Sequence, residues 1–318
     1  MGAKGAARGG SDGARAPDGA LERLLVQLDC VGDRPFEVSE LSGGLTNKNY
    51  RVQTPETDLV VRVAAANAGA LSIDRDNEYH NSVAAAAAGV GAPVVEYRPE
   101  LGVLVVGYIE ARTFHEEDLR SGLHLARVAA ACRRLHGGPR FRNDFDMFEL
   151  QWRYLSIVRE RGYRLPDGYL ELSTQVDRIR AALSARAMPT VPCNNDLLAG
   201  NILDDGERIW LIDYEYSGNN DPCFELGNIW SESGLSLEQL GELVGHYFGS
   251  DRVDLVARAR LQGLMSKYGW TLWASIQDGE ADLDFDFWSW GMEKYSRAVA
   301  EFEGDDFNEL IDTVTHGS

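Results

Sequence analysis

The sequence has few cysteines and lacks a paired metal-ligand motif. Its four cysteines are scattered along 318 residues without a C-x-x-C pair, at Cys30, Cys132, Cys193 and Cys223. No histidine stands at the spacing of a zinc-ligand set. A disulfide framework and a structural zinc site are therefore both disfavoured. This cysteine usage favours a reducing, cytoplasmic compartment.

Long apolar runs and an excess of basic residues are also missing. No stretch of about 18 consecutive apolar residues occurs, so the sequence predicts no membrane-spanning helix. Against 31 Lys and Arg residues there are 50 Asp and Glu residues, which gives a formal net charge of −19. An acidic chain of this kind is poorly suited to binding nucleic acid or an anionic membrane surface.

The pattern of the chain changes twice along its length. The segment 1–19 is rich in glycine and alanine without the apolar stretch of a secretory signal, and is expected to be a disordered tail. Short alternating or apolar runs with one helix over 74–88 are then typical of a β-rich region. The sequence therefore predicts a small β-rich lobe over 20–109 and a large, mainly helical lobe over 110–318.

Helical spacing of apolar residues dominates the second lobe. One helix is predicted over 115–136, with Gly137 to end it. Further helices are predicted over 146–161, 169–185, 222–233, 236–248, 252–276 and 285–303. The exception is 189–213, where short extended runs surround turns.

A glycine pair lies in the turn between the first two predicted strands, and Thr46 and Asn47 follow it. Backbone N–H groups around Gly43 and Gly44 can approach a phosphate closely, because glycine has no Cβ. An ordinary hairpin turn has the same composition. This segment alone leaves both interpretations open.

Arg62 stands in the middle of an apolar predicted strand, and Glu78 lies in the helix that follows. A buried charge requires a partner, because its desolvation is costly. A strand cation paired with a helix carboxylate is how protein kinases hold the α and β phosphates of the nucleotide. An Arg62 that faces solvent from an edge strand is the alternative.

Three polar residues around 196–213 form the most informative pattern. Asp196 and Asn201 are five residues apart in a predicted loop, and Asp213 ends an apolar strand 12 residues after Asn201. Phosphoryl transfer needs a carboxylate to orient the incoming hydroxyl and accept its proton, and Asp196 suits that role. It also needs oxygen ligands for Mg²⁺, which Asn201 and Asp213 can provide. A polar loop next to an acidic strand end is the plainer interpretation.

Together these segments resemble the choline/ethanolamine kinases, within a kinase-like fold that also includes the aminoglycoside phosphotransferases. The residues that carry the resemblance are GGLTN at 43–47, LVVRV at 59–63, IDRDNE at 73–78, CNNDLLAGNIL at 193–203 and LIDYEYSGNNDPCFELGN at 211–228. The resemblance implies an α+β, protein-kinase-like fold of two lobes. One departure is Asn194, which stands where the family usually has a histidine. The asparagine side chain can also donate and accept hydrogen bonds, but it is shorter than that of histidine.

The resemblance also implies roles for individual residues. Asp196 matches the catalytic base, and Asn201 and Asp213 match the magnesium ligands. The positions that match the ATP site are Gly43, Gly44, Thr46, Asn47, Arg62, Glu78, Gly107 and Tyr108.

Aromatic residues concentrate near the end of the chain. Trp270 and Trp273 are i,i+3 neighbours on a predicted helix, so their rings share one face. A quaternary ammonium is recognised by ring faces and nearby carboxylates, although most aromatic stripes only pack a core. By resemblance to the family's choline pocket, the substrate-binding residues are Glu215, Tyr216, Trp270, Trp273 and Trp290. Phe285, Phe287 or Trp288 is expected to belong to the core.

The sequence thus predicts an ATP- and Mg²⁺-dependent small-molecule kinase that phosphorylates the hydroxyl of choline or ethanolamine. Its expected partner is a small cationic amino alcohol, with no nucleic acid and no membrane insertion. The alternatives are a phosphotransferase for another amine-bearing molecule, such as an aminoglycoside, and a non-catalytic ligand binder.

Overall fold

The computed structural model describes residues 19–41, 47–64, 71–281 and 283–317. By its internal contacts the chain divides into two compact units. The first unit comprises Met1–Ala64 and Val95–Tyr108, and the second comprises Ala65–Val94 and Ile109–Ser318.

The first unit is built on a five-stranded sheet preceded by a short helix, α1 (Gly19–Leu25). The strands are β1 (Glu37–Leu41), β2 (Asn47–Gln53), β3 (Asp58–Ala64), β4 (Val94–Arg98) and β5 (Val103–Gly107). Their order across the sheet is β1-β2-β3-β5-β4. The pairs β1–β2, β2–β3 and β3–β5 are antiparallel. The strands that the sequence predicts between 36 and 106 are therefore present.

One face of this sheet is covered by apolar side chains. Leu25 and Leu28 from the helical segment pack with Val52, Leu59, Val61, Val103 and Val105 of the strands. Because side chains alternate along a strand, Arg62 lies on the opposite face from Leu59 and Val61. This register keeps the guanidinium out of the apolar core.

The second unit is mainly helical. Its helices are α2 (Arg75–Ala87), α3 (Glu116–Arg120), α4 (Leu125–His136), α5 (Met147–Arg161), α6 (Ser173–Ala185), α7 (Pro222–Ser233), α8 (Leu237–Phe248), α9 (Val253–Glu280), α10 (Phe287–Phe302) and α11 (Phe307–His316). Five short strands complete it: β6 (Arg112–Thr113), β7 (Val191–Cys193), β8 (Ile202–Asp204), β9 (Ile209–Leu211) and β10 (Gly218–Asn220). They form a β6-β8-β9 sheet and a β7-β10 pair. None of the helices in the described residues combines the length and apolar character needed to cross a bilayer.

Helices α7 and α9 cross at a pair of glycines in the middle of this unit. A Cβ on Gly227 would lie 2.1 Å from the Ala259 carbonyl oxygen, and a Cβ on Gly263 would lie 2.5 Å from the Gly227 carbonyl oxygen. Side chains at either position would therefore force the helices apart. Next to the crossing, Asn228 Nδ2 donates to Ser266 Oγ at 3.0 Å.

Two helical features differ from the sequence-based expectation. The single helix predicted over 115–136 is broken into α3 and α4, because Gly122 adopts a positive φ of 76° between them. Helices α1 and α11 were not predicted. Each is short, at seven and ten residues, although the buried residues Phe307, Ile311 and Val314 of α11 do follow helical spacing.

Helix α9 carries a buried lysine. The Lys267 Nζ lies 3.7 Å from the centroid of the Trp230 ring and 3.9 Å from Glu301 Oε1. Burial lowers the pKa of Lys267 from 10.5 to about 7, and the charge of Glu301 opposes this shift. The folded chain therefore favours the neutral amine above pH 7.

This lysine should make stability increase with pH in the neutral to alkaline range. Between pH 7 and 9 the unfolded chain keeps the lysine proton that the folded chain has released, so alkalinity favours folding. We expect the free energy of unfolding from urea melts to gain about 2 kcal/mol more in the native protein than in Lys267→Met. Lys48→Met is the control, because Lys48 is exposed. An equal gain in all three proteins would contradict the assignment.

Candidate active site

The loop between β7 and β8 is held in shape by its own polar groups. The Asp196 carbonyl accepts hydrogen bonds from the Leu198 N–H at 2.9 Å and from Asn201 Nδ2 at 2.8 Å. Asn201 therefore donates its amide N–H to the loop, and its amide oxygen is the end that suits a cation. The Asp196 carboxylate takes no part in these loop contacts. The contacts that hold Asp196 are made by its backbone N–H and carbonyl groups.

Asn194 connects this loop to the segment that contains Asp213. Its side chain is fully buried, and its Nδ2 donates to the carbonyls of Ile212 at 3.1 Å and Asp213 at 2.8 Å. Its Oδ1 accepts the Asp196 N–H at 3.1 Å. The shorter reach of asparagine relative to histidine is therefore sufficient here, because Asp213 turns its carbonyl toward the loop. Asp213 has a positive φ of 63° at this point.

A buried glutamate on α7 holds the start of the same loop. Glu225 accepts the backbone N–H groups of Asn194 at 2.8 Å and Asn195 at 2.7 Å, one on each carboxylate oxygen. Sequence reasoning assigned no role to Glu225. The available signal was its position inside a helix that is buried along almost its whole length, where a charge must have a partner.

His136 and Cys193 lie beside Glu225, and their potential ligand atoms are within 4.8 Å of one another. These groups are nevertheless used within the protein. His136 Nδ1 is 2.7 Å from the Tyr247 hydroxyl, and both Glu225 oxygens accept backbone N–H groups. Burial, with a further contribution from Glu225, keeps the pKa of the Cys193 thiol well above its usual range. The cluster therefore supports the loop and is a poor metal site.

Asp196 lies among other carboxylates. Burial raises its pKa well above the usual range, and Asp213, Glu232 and Glu215 raise it further, while Lys294 lowers it. A carboxylate in this environment is a stronger base than one in water. The same concentration of negative charge favours the binding of cations.

Glu215 is held by an arginine that the sequence analysis did not identify. Arg75 Nη1 lies 3.3 Å from Glu215 Oε2 and 2.6 Å from Glu78 Oε2. Arg75 therefore links the start of α2 to the segment after Asp213. The pairing of Glu78 with Arg62 stays a prediction.

Four aromatic side chains, Tyr216, Trp270, Trp273 and Trp290, form one group that we call the aromatic cluster. Trp273 Nε1 donates to the Tyr216 hydroxyl at 2.8 Å, and the Tyr216 and Trp270 ring centroids are 4.9 Å apart. Trp273 also packs against Trp290 at 5.5 Å. The structure thus brings together rings that lie more than 70 residues apart in the sequence.

The aromatic residues outside this cluster differ in their surroundings. Phe287 is buried and packs against Trp273 at 5.8 Å. Phe285 is 41% exposed, so it does not belong to the core. Trp288 is half-buried beneath the Arg164 guanidinium, 3.9 Å from the ring centroid. Of these three residues, Phe287 is the core residue.

The predicted nucleotide residues that are described divide between the two units. The first unit contains Asn47 at the start of β2, Arg62 in β3, Gly107 at the end of β5, and Tyr108. The Tyr108 N–H donates to the Asp58 carbonyl at 2.9 Å. Glu78 belongs to the second unit. Gly43, Gly44 and Thr46 lie outside the described residues.

The chain is similar to known proteins over most of its length. It matches the sequence profile of the family described as choline/ethanolamine kinase over residues 38–240. The protein LicA of Haemophilus influenzae is 27% identical over 251 residues, which cover 74% of this chain and 72% of that protein. A solved structure of a choline/ethanolamine kinase family protein from Mesorhizobium loti is 32% identical, with a TM-score of 0.83 over 94% of this chain and 99% of the other.

The fold extends to more distant proteins. An aminoglycoside phosphotransferase of known structure superposes with a TM-score of 0.59 at 16% identity, over 89% of this chain and 97% of the other. These similarities confirm the predicted α+β, kinase-like fold. The family match includes the loop that carries Asp196 and Asn201, and the segment that carries Asp213. The chain therefore belongs to the choline/ethanolamine kinase family, whose members are phosphotransferases with an alcohol acceptor.

Proposed function

We propose that this protein transfers the terminal phosphate of ATP to the hydroxyl of choline, with ethanolamine as a second, poorer acceptor. The products are ADP and the phosphate monoester of the amino alcohol. The observation that carries the choice of acceptor is the aromatic cluster, which lies in the same unit as Asp196. A quaternary ammonium has no N–H to donate, so ring faces are its natural binding surface.

The chemistry of the acceptor rests on Asp196. Its carboxylate would accept the hydroxyl proton as the oxygen attacks the terminal phosphorus, and its raised pKa suits a base that works near neutral pH. The loop contacts of Asn201 and Asn194 hold the backbone of Asp196. The base is thus positioned before the substrate binds.

The nucleotide and metal roles follow from the donor groups. Asn201 and Asp213 offer an amide oxygen and a carboxylate, which are the hard oxygen ligands that Mg²⁺ prefers. Bound there, Mg²⁺ would neutralise charge on the transferred phosphate. In the first unit, Arg62 would provide a cation for the phosphates, and Gly107 and Tyr108 are the backbone positions that we assign to the base of the nucleotide, although the Tyr108 N–H itself is used by Asp58.

Two alternatives fit the structure less well. An aminoglycoside carries several amines and is suited to an acidic cleft rather than to ring faces, so the aromatic cluster disfavours it. A non-catalytic ligand binder was suggested by Asn194 in place of histidine. The hydrogen bonds of Asn194 to both Asp196 and Asp213 argue against a degraded site.

Release of ADP with a panel of acceptors tests the proposal. We expect turnover with choline, weaker turnover with ethanolamine, and none with kanamycin, homoserine or methylthioribose. Omission of Mg²⁺ should abolish turnover, and phosphorus NMR should identify a phosphate monoester. Turnover with another acceptor but with neither choline nor ethanolamine would contradict the proposal.

Calorimetry separates the enzyme from the non-catalytic binder. An active kinase should bind ATP more tightly with Mg²⁺ than without it, because Asn201 and Asp213 would hold the metal and the metal would offset the negative charge of the phosphates. ATP binding that does not respond to Mg²⁺, together with tight choline binding and no ADP release, would support the binder.

A further inference from the structure

A lysine of the protein occupies part of the aromatic cluster. Trp290 and Lys294 are i,i+4 neighbours on α10, and Lys294 Nζ lies 4.1 Å from the centroid of the Trp290 ring. The same ammonium forms an ion pair with Glu232 Oε2 on α7. Both side chains are buried, at 7% and 4% exposure. The Trp290 ring and the Glu232 carboxylate therefore both contact the Lys294 ammonium, before any substrate is bound.

The Lys294–Glu232 ion pair lies close enough to Asp196, the candidate base, to affect its pKa. Among the charges that act on the pKa of Asp196, Glu232 raises it and Lys294 lowers it. Trp290 is in contact with Trp273, whose indole N–H holds the Tyr216 hydroxyl. Lys294 is thus an internal ammonium beside the rings that would bind the ammonium of the acceptor.

The two kinds of acceptor place different demands on such a site. A primary ammonium binds best where a carboxylate accepts its N–H groups, because charge-assisted hydrogen bonds are the strong ones. A trimethylammonium needs ring faces and no acceptor. In this site the Glu232 charge is neutralised by Lys294, and Glu215 lies 3.3 Å from Arg75. The faces of Tyr216, Trp270 and Trp273 carry no internal cation among the described residues.

We propose that Lys294 is a specificity-determining residue that favours a quaternary over a primary ammonium acceptor, because it occupies the Glu232 carboxylate and leaves the ring faces of Tyr216, Trp270 and Trp273 for the acceptor. The inference rests on the proposed function and goes beyond it, because it assigns the choice between acceptors to one residue. One Glu232 oxygen, Oε1, is buried without a hydrogen-bond partner in the described structure. In a variant without the Lys294 ammonium, the Glu232 carboxylate would be able to accept hydrogen bonds from the ammonium group of a ligand.

Steady-state kinetics of Lys294→Met tests this role. The ratio of kcat/KM for ethanolamine to that for choline should increase about tenfold, through a lower KM for ethanolamine, since one ligand group in a pocket is worth about that factor. Lys294→Arg keeps the cation and should keep the native ratio. In the double variant Lys294→Met with Glu232→Gln the gain should disappear, because the charged acceptor is gone.

A second measurement needs no substitution. In the native protein, KM should fall stepwise along ethanolamine, its N-methyl and N,N-dimethyl derivatives, and choline. An unchanged ratio in folded Lys294→Met would overturn the role of Lys294 and leave the proposed function standing. A native preference for ethanolamine would overturn both the role of Lys294 and the proposed preference for choline, and would leave the kinase activity standing. Absence of turnover with every member of the series would overturn the proposed function, and this inference with it.

Discussion

Replacement of Asp196 by asparagine should lower kcat by a factor of about 10³, because a positioned general base contributes 10²- to 10⁴-fold and asparagine cannot accept the hydroxyl proton. The fold should survive, since the loop is held by the backbone groups of Asp196 and not by its carboxylate. The measurement is ADP release at saturating choline, with circular dichroism to verify folding.

The same substitution should raise the melting temperature in the absence of metal. The pKa of Asp196 is raised in the folded chain, so this carboxyl group costs stability at a pH above the ordinary pKa of an aspartate, and this cost disappears in the asparagine variant. Asp312→Asn is the matched control, because Asp312 is exposed on α11. It should leave kcat and the melting temperature near their native values. Retained activity in Asp196→Asn would exclude Asp196 as the base.

Much of the fold was predictable because its signals are local. The alternation of apolar residues in β3 fixes which face Leu59 and Val61 present, and it places Arg62 on the other. Asp74 caps α2 by accepting the Asn77 N–H at 3.0 Å, as a polar residue before a helix predicts. Such features depend on neighbouring residues, which a sequence shows directly.

Candidate site residues could be identified from the sequence where polar residues suited to the chemistry are concentrated in short segments. Asp196, Asn201 and Asp213 stand within 18 residues. Asn201 is hydrogen-bonded to the Asp196 carbonyl, and Asn194 connects the loop to the Asp213 carbonyl. The aromatic cluster was predictable in a weaker sense. The shared face of Trp270 and Trp273 follows from helical spacing, whereas their contact with Tyr216 depends on how α9 crosses α7.

The supporting residues were not predictable, because each acts at long range in the sequence. Arg75 reaches Glu215 across 140 residues, and Lys294 reaches Glu232 across 62. A charge in a buried helix indicates that a partner exists, but its identity follows from tertiary packing. The same holds for Asn194. Whether its short side chain can reach the Asp213 carbonyl depends on the position of that carbonyl in the folded chain, which the sequence does not show.

Replacement of Glu225 by glutamine should lower kcat by a factor of about 10² with a smaller change in the KM for choline. In the native protein each Glu225 oxygen accepts one backbone N–H, from Asn194 or Asn195. Glutamine has only one such oxygen, so its amide NH₂ group would face the other backbone N–H, and two donors cannot form a hydrogen bond. The loop would then shift, and a misplacement of about 1 Å costs about 10²-fold in rate.

The stability of this variant distinguishes positioning from mere support. An unsatisfied buried N–H costs about 1–3 kcal/mol, so Glu225→Gln should unfold at a lower urea concentration than the native protein while remaining folded in its absence. Glu238→Gln, an exposed glutamate on α8, is the matched control and should change neither kcat nor stability. Glu225→Asp keeps both charged oxygens on a shorter side chain and should recover part of the lost kcat. If kcat stays at the native level while stability falls, Glu225 supports the fold and does not position Asp196.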